Sequence, residues 1–282
     1  MSAVNDVNYE GESYSKFRPS YSEEIYSLIY AFHDEKKGGY DLAIDSGTGT
    51  GQAAIELCKK FKRVHGIDSL EEQIKNATKK DNIEYHVGPG EDLSRFQDNS
   101  VDMITIGTAF HWFDHAKFFK EAERVLKHKT GTLAVFGYYY PVISKVDAND
   151  KPGELAKANE LLKDLLAKFD QYTNPNIKYV RSMYCNIKFP FEEQTWYITP
   201  KSEDIMNVSQ PIDKSLMEAS MDLETYRNYM KTASAYSNYM EAHPNDDPVD
   251  KLVKDIKHTL KITDQDIVHL EWPTCLVLAR NN

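Results

Sequence analysis

The stretch Asp45-Ser46-Gly47-Thr48-Gly49-Thr50-Gly51 decides the fold. It follows a short apolar run, Asp41–Ser46, and opens a helical pattern, Gly51–Phe61. In that pattern Ala54, Leu57, Cys58 and Phe61 recur at i, i+3, i+4 and i+7, one face of a helix. A strand passing through alternating glycines into a helix is the opening of a βαβ unit, because missing Cβ atoms let backbone and ligand approach closely. A plain strand-to-helix turn is the alternative. One turn needs one glycine, however, and here there are three.

Working outward, the same alternation continues. Arg63–Ile67, Ile83–Val87, Val101–Ile106 and Thr132–Phe136 read as strands, with helical patterns at Leu70–Lys80 and His115–Leu126. Right-handed crossovers then place helices on both faces of a parallel sheet. A helix, Ser22–Phe32, precedes this region. After it come helical patterns at Leu155–Phe169, Leu223–Met240 and Val249–Leu260, with an irregular aromatic stretch from Tyr172 to Tyr197. The β-like run Ile267–Ala279, with Tyr184–Phe189 as partner, adds two strands. The expectation is one α/β domain over residues 1–282 with a mostly parallel, seven-stranded, Rossmann-like sheet. Residues 40–138 form its core, 1–39 an N-terminal cover, and 139–282 the last strands and a helical cover.

The 282 residues, 41% of them apolar, are enough for a substantial core. With 34 Lys+Arg against 44 Asp+Glu, the net charge is −10, and no basic block exceeds a pair or two. Such a chain repels a phosphate backbone, so no nucleic-acid partner is expected. No run is apolar and long enough to span a bilayer, and the first residues lack the pattern of a signal peptide. Three well-separated cysteines, Cys58, Cys185 and Cys275, fit a reducing compartment, and a cytoplasmic, membrane-free protein is expected. His243, His258 and His269 have no metal-ligand spacing, and no metal is assigned.

The glycine loop narrows the ligand. A dinucleotide fingerprint beginning at Gly47 would place its third glycine at position 52, which is Gln, and the lysine of a Walker loop is absent. Asp45 repels phosphate but welcomes an ammonium group. Asp68, ending the second strand, can accept ribose hydroxyls. Gly88-Pro89-Gly90-Glu91-Asp92-Leu93, after the third, sets carboxylates and amides where an adenine edge can lie. Ribose, adenine and a cationic amino-acid tail without phosphates describe S-adenosylmethionine.

These residues resemble the motifs of class I S-adenosylmethionine-dependent methyltransferases of the type-11 kind. Asn99-Ser100-Val101-Asp102 and Ala109-Phe110-His111-Trp112-Phe113 extend the resemblance, which covers about residues 9 to 137. More narrowly, Tyr14-Ser15-Lys16-Phe17-Arg18-Pro19-Ser20-Tyr21 and Thr232-Ala233-Ser234-Ala235-Tyr236 resemble the fungal trans-aconitate and cantharidin methyltransferases. One departure is Ser46-Gly47-Thr48, where relatives often carry an apolar residue and a cysteine. The resemblance implies that Asp45 and the amides of Gly47, Gly49 and Gly51 hold the methionine part. It further implies that Asp68 takes the ribose, and that Asp92 with Leu93, flanked by Glu91, frames the adenine.

It also implies a small carboxylic acid as methyl acceptor. A carboxylate is ionised at neutral pH and needs no general base, so positioning and exclusion of water suffice. A phenol, amine or thiol would need one, and His111 is the candidate; a packing histidine is the alternative. Arg18, Tyr21, Trp112, Tyr139 and Tyr236 are further candidates for lining the acceptor site, each with a reading as core or surface. Tyr229, Ala233, Tyr236 and Met240 share one helical face, and Lys145 and Arg181 are weaker candidates for pairing an anion.

Overall fold

A computed structural model describes residues 19–147, 152–199 and 215–281. In chain order the elements are α1 (Glu23–Glu35), β1 (Leu42–Ser46), α2 (Gln52–Leu57), β2 (Arg63–Asp68), α3 (Glu71–Lys75), β3 (Ile83–Val87), β4 (Met103–Gly107), α4 (His115–Val125), β5 (Thr132–Tyr138), β6 (Val142–Val146), α5 (Pro152–Phe169) and α6 (Ile177–Arg181). There follow β7 (Glu193–Thr199), β8 (Glu218–Asp222), α7 (Leu223–Lys231), α8 (Ser234–Ala242), α9 (Pro248–Leu260), β9 (Ile267–Glu271) and β10 (Thr274–Arg280).

The described residues form two compact units. The larger takes 20–139, 178–199, 215–216 and 273–281 and carries a seven-stranded sheet in the order β3-β2-β1-β4-β5-β10-β7. Its first five strands are parallel, and β10 lies antiparallel to both β5 and β7. All residues of β1, β5 and β10 are buried, as strands covered on both faces must be. Alternate side chains serve the two faces. Ile44, Ile104, Ile106, Leu133, Val135 and Val277 join Phe118, Ala122 and Val125 of α4 in one apolar cluster. The smaller unit takes 19, 140–147, 152–177 and 217–272 and has its own antiparallel sheet, β6-β9-β8. There α5 packs against α9.

The mostly parallel seven-stranded sheet agrees with expectation, but its last strands come from other residues. Tyr184–Phe189 is no strand: Met183 and Tyr184 turn through positive φ, at 49° and 59°, and Tyr184, Ile187 and Phe189 point into the core. The strand lies instead at β7, after Pro190, whose nitrogen has no hydrogen to donate. Ile267–Ala279 is two strands in two sheets, parted at Trp272-Pro273. Leu223–Met240 is two helices. Ala233 is extended between them, and the Thr232 hydroxyl donates to the Tyr229 carbonyl at 2.6 Å, competing with the helical bond.

Candidate cofactor site at the strand ends

The chain turns from β1 to β2 on one side and returns to β4 on the other, so the crevice of this sheet opens at the carboxyl end of β1. Gly47, Gly49 and Gly51 have φ of 70°, 55° and 90°, all in the left-handed region that glycine enters without a Cβ penalty. The amides of Gly47 and Thr48 donate to the Ile67 carbonyl at 2.8 and 2.9 Å, Gly51 donates to Thr48 at 2.9 Å, and Gly49 to Asp68 Oδ2 at 2.8 Å. The loop is thus tied to the end of β2. A Cβ on Gly47 would strike Ala109 and one on Gly51 the Tyr85 hydroxyl. At Gly49 the nearest atom is Gln73 Oε1, 3.8 Å away. Space opens in front of Gly49.

Asp45 plays a different part from the one its charge suggested. It is 1% exposed. Its carboxylate accepts from the Thr48 hydroxyl at 2.5 Å, the Thr105 hydroxyl at 2.8 Å and the Ala54 amide at 3.1 Å. Burial pushes its pKa up to about 6 against these three bonds, which favour the ionised form. It organises the loop from behind. The Ser46 hydroxyl donates to the Gly90 carbonyl at 2.6 Å, binding the loops after β1 and β3 together.

Asp68 is half-buried at the mouth, where it also accepts from the Leu70 amide at 2.9 Å, and burial raises its pKa. Glu91 is half-buried and Asp92 exposed, the latter capping the Ser94 amide at 3.0 Å; hydrogen bonding from the Ser94 side chain and then its amide lowers the Asp92 pKa. Leu93 is completely buried in the core cluster, so it anchors this loop and presents no side chain to a ligand. Among the described residues the large apolar side chains left exposed are Leu70, Val87 and Trp112, at 41%, 51% and 37%. They follow β2, end β3 and follow β4, so apolar surface is exposed at the carboxyl ends of three of the parallel strands. Composition and periodicity passed over Leu70 and Val87. Their signal was a large apolar residue where a turn begins.

His111 is buried, with Nδ1 3.5 Å from the Tyr184 hydroxyl and its ring 4.6 Å from that of Trp112. Tyr21 lies across the ends of β4 and β5. Its hydroxyl donates to Thr108 Oγ1 at 3.1 Å, and its ring meets Phe136 edge-on at 4.7 Å. Tyr139 accepts from Arg181 Nε at 2.9 Å. Tyr236 belongs to the smaller unit, where its hydroxyl donates to Asp247 Oδ2 at 2.9 Å beside Lys231. Arg18 lies outside the described residues.

The site's chemistry fits a nucleoside without phosphates. The segments 45–51, 68–70, 87–93 and 107–114 contain carboxylates and no Lys or Arg. Gly49 leaves a cradle that a Cβ would fill, and the carboxylates Asp68 and Glu91 lie on loops that also expose Leu70 and Val87. The fold and site define a nucleoside-binding α/β protein of the methyltransferase type.

Known proteins share this sequence and fold. Residues 44–135 match a family described as a methyltransferase domain. A Dictyostelium discoideum protein named as a methyltransferase is 32% identical over 275 residues, covering 95% of this chain and 92% of that one. A Saccharomyces cerevisiae protein named as an S-adenosylmethionine-dependent methyltransferase is 28% identical, covering 97% and 96%. A solved structure from Anaeromyxobacter dehalogenans, described as a type II methyltransferase, superposes with a TM-score of 0.69 at 23% identity, covering 93% and 97%. The chain belongs to the class I S-adenosylmethionine-dependent methyltransferases, and S-adenosylmethionine is its cofactor. No helix among the described residues is long and apolar enough to cross a membrane.

Proposed function

We infer that the protein transfers a methyl group to a carboxylate of a small acid of the trans-aconitate kind. The observation that carries this reading is the Arg181 guanidinium, which the Tyr139 hydroxyl holds at 2.9 Å just past the end of β5. A guanidinium can pair a carboxylate through two parallel bonds. The resemblance at Tyr14–Tyr21 and Thr232–Tyr236 points to the same acceptor class.

Bound S-adenosylmethionine supplies an electrophilic methyl group on a sulfonium. Asp68 would accept the ribose hydroxyls, Glu91 and Asp92 would serve the adenine edge, and Leu70 and Val87 would offer apolar surface to the ring. Gly49, with no side chain above it and Asp45 bracing its loop, would hold the methionine end. Trp112 and Tyr21 bound the acceptor space and exclude water. His111, buried with Nδ1 3.5 Å from the Tyr184 hydroxyl, serves as a packing residue in this reading, since an ionised acceptor needs no base. A carboxylate, with pKa about 4, arrives already ionised.

Radiolabelled methyl transfer to a panel of acids, phenols and amines tests the reading. It expects transfer to an acid, a rate flat above about pH 6, and little loss on His111→Ala. A rate that rises with pH and vanishes in His111→Ala points instead to a phenol or amine acceptor. Tight S-adenosylhomocysteine binding with no transfer to any of the panel would leave a non-catalytic binding protein.

Two variants probe the site. Asp68→Ala weakens S-adenosylhomocysteine at least about tenfold by calorimetry, about 1.4 kcal/mol. Arg181→Ala raises KM for the acid with kcat little changed, because it removes binding common to ground and transition states.

A further inference from the structure

On the β2–β3 edge of the larger unit, the parallel register pairs His65 with Glu84 and Ile67 with His86, so His65, Glu84 and His86 share one face. His65 Nδ1 and His86 Nε2 are 2.8 Å apart. One Glu84 oxygen lies 3.8 Å from His65 Nδ1 and the other 3.5 Å from His86 Nε2. Among the described residues no other group of three or more His, Cys, Asp and Glu brings one ligand atom from each to within 4.8 Å of the others.

We propose that His65, Glu84 and His86 form a binding site for a divalent transition-metal ion of the zinc class, separate from the cofactor crevice. A tetrahedral ion with bonds of about 2.0–2.1 Å holds neighbouring ligand atoms roughly 3.4 Å apart. The three separations bracket that value. Two imidazoles and one carboxylate suit zinc and its neighbours, whereas magnesium and calcium take oxygen ligands. Both imidazoles are largely covered, and Phe96 packs edge-on against His65 at 5.2 Å, fixing that ring. The charged groups facing the pair are Glu84, Arg95 and, for His65, Arg63. The exposed Glu84 leaves a fourth position for water, and the ion pins the edge strand β3 to β2.

The test is zinc titration into the full, chelator-stripped chain at pH 7.5, read by calorimetry, with the visible spectrum of the cobalt form reporting geometry. One ion binds with micromolar or tighter affinity, cobalt gives the intense bands of a four-coordinate site, and zinc raises the melting temperature. Loss of a mere outer-shell partner costs about 10–100-fold in affinity, so His86→Gln and the surface change Glu84→Gln each weaken zinc at least about tenfold. Both variants keep their near-ultraviolet dichroism and S-adenosylhomocysteine binding, which separates loss of the ion from loss of the fold. Absence of binding by the wild type overturns the proposal. So does zinc affinity unchanged in the His65→Gln/His86→Gln double variant, or octahedral cobalt bands; the pair is then a plain imidazole hydrogen bond.

Discussion

Asp45 carries the physics of the site at the scale of one residue. Three donors, from the loop after β1, the middle of β4 and α2, converge on its carboxylate, and each is buried with it. Asp45→Ala leaves the Thr48, Thr105 and Ala54 donors without their acceptor. That costs about 1–3 kcal/mol, read as a lower urea midpoint. The pH dependence has a definite sign. The folded state holds the proton more tightly than the unfolded one, since burial raises this pKa to about 6. The stabilisation is full below the ordinary carboxylate pKa and disappears as pH rises through about 6. Relative to the non-titrating Asp45→Asn, the wild type therefore loses stability between about pH 4 and pH 6. Equal slopes for the two proteins would refute this account. The sequence shows an acidic residue before three glycines and thus an attractive charge. It does not show Thr105, sixty positions away, which turns that charge inward.

At the scale of the element, the turn from β1 into α2 separates two uses of glycine. All three positions need positive φ, but they differ in what stands above them. An alanine in the left-handed region costs about 1–2 kcal/mol. Gly51→Ala adds a collision with Tyr85 and lowers thermal stability most. Gly49→Ala costs only the backbone term, yet its methyl group enters the ligand's space. It should keep most of its melting temperature and lose S-adenosylhomocysteine affinity, as thermal scans and calorimetry on the same samples can decide. Comparable loss of both properties in both variants would contradict the assignment of Gly49 to the ligand face. The glycines themselves were legible because a strand, a turn and a helical stripe follow one another within twenty residues. What each glycine faces depends on Tyr85 and Ala109, and no local pattern carries that.

For the whole molecule, the five parallel strands could be read directly, because each is a short apolar run followed by its own helix or turn. The two antiparallel strands could not. β10 pairs with residues about 140 positions earlier on one side and about 80 earlier on the other, and such pairings leave no mark in a local window. Tyr184–Phe189 alternates as a strand does, yet its alternation records side chains turned into a core. Ligand linkage gives the test at this scale. S-adenosylhomocysteine at 100 times its Kd adds about 2.7 kcal/mol of stability and raises the melting temperature. NAD, whose pyrophosphate finds no basic group in the glycine loop, leaves it unchanged.

The sheet order β5-β10-β7 has a consequence for how the chain is made. β7 leaves the ribosome some 75 residues before the strand that must sit between it and β5. Until then both hold bare edges, each a template for pairing with another nascent chain. Arg280, completely buried and paired with Glu35 and Glu193, then ties β10 to α1 and β7. Translation arrested before Pro273 should yield protease-sensitive, aggregation-prone chains, and synthesis of β10 should convert them at once.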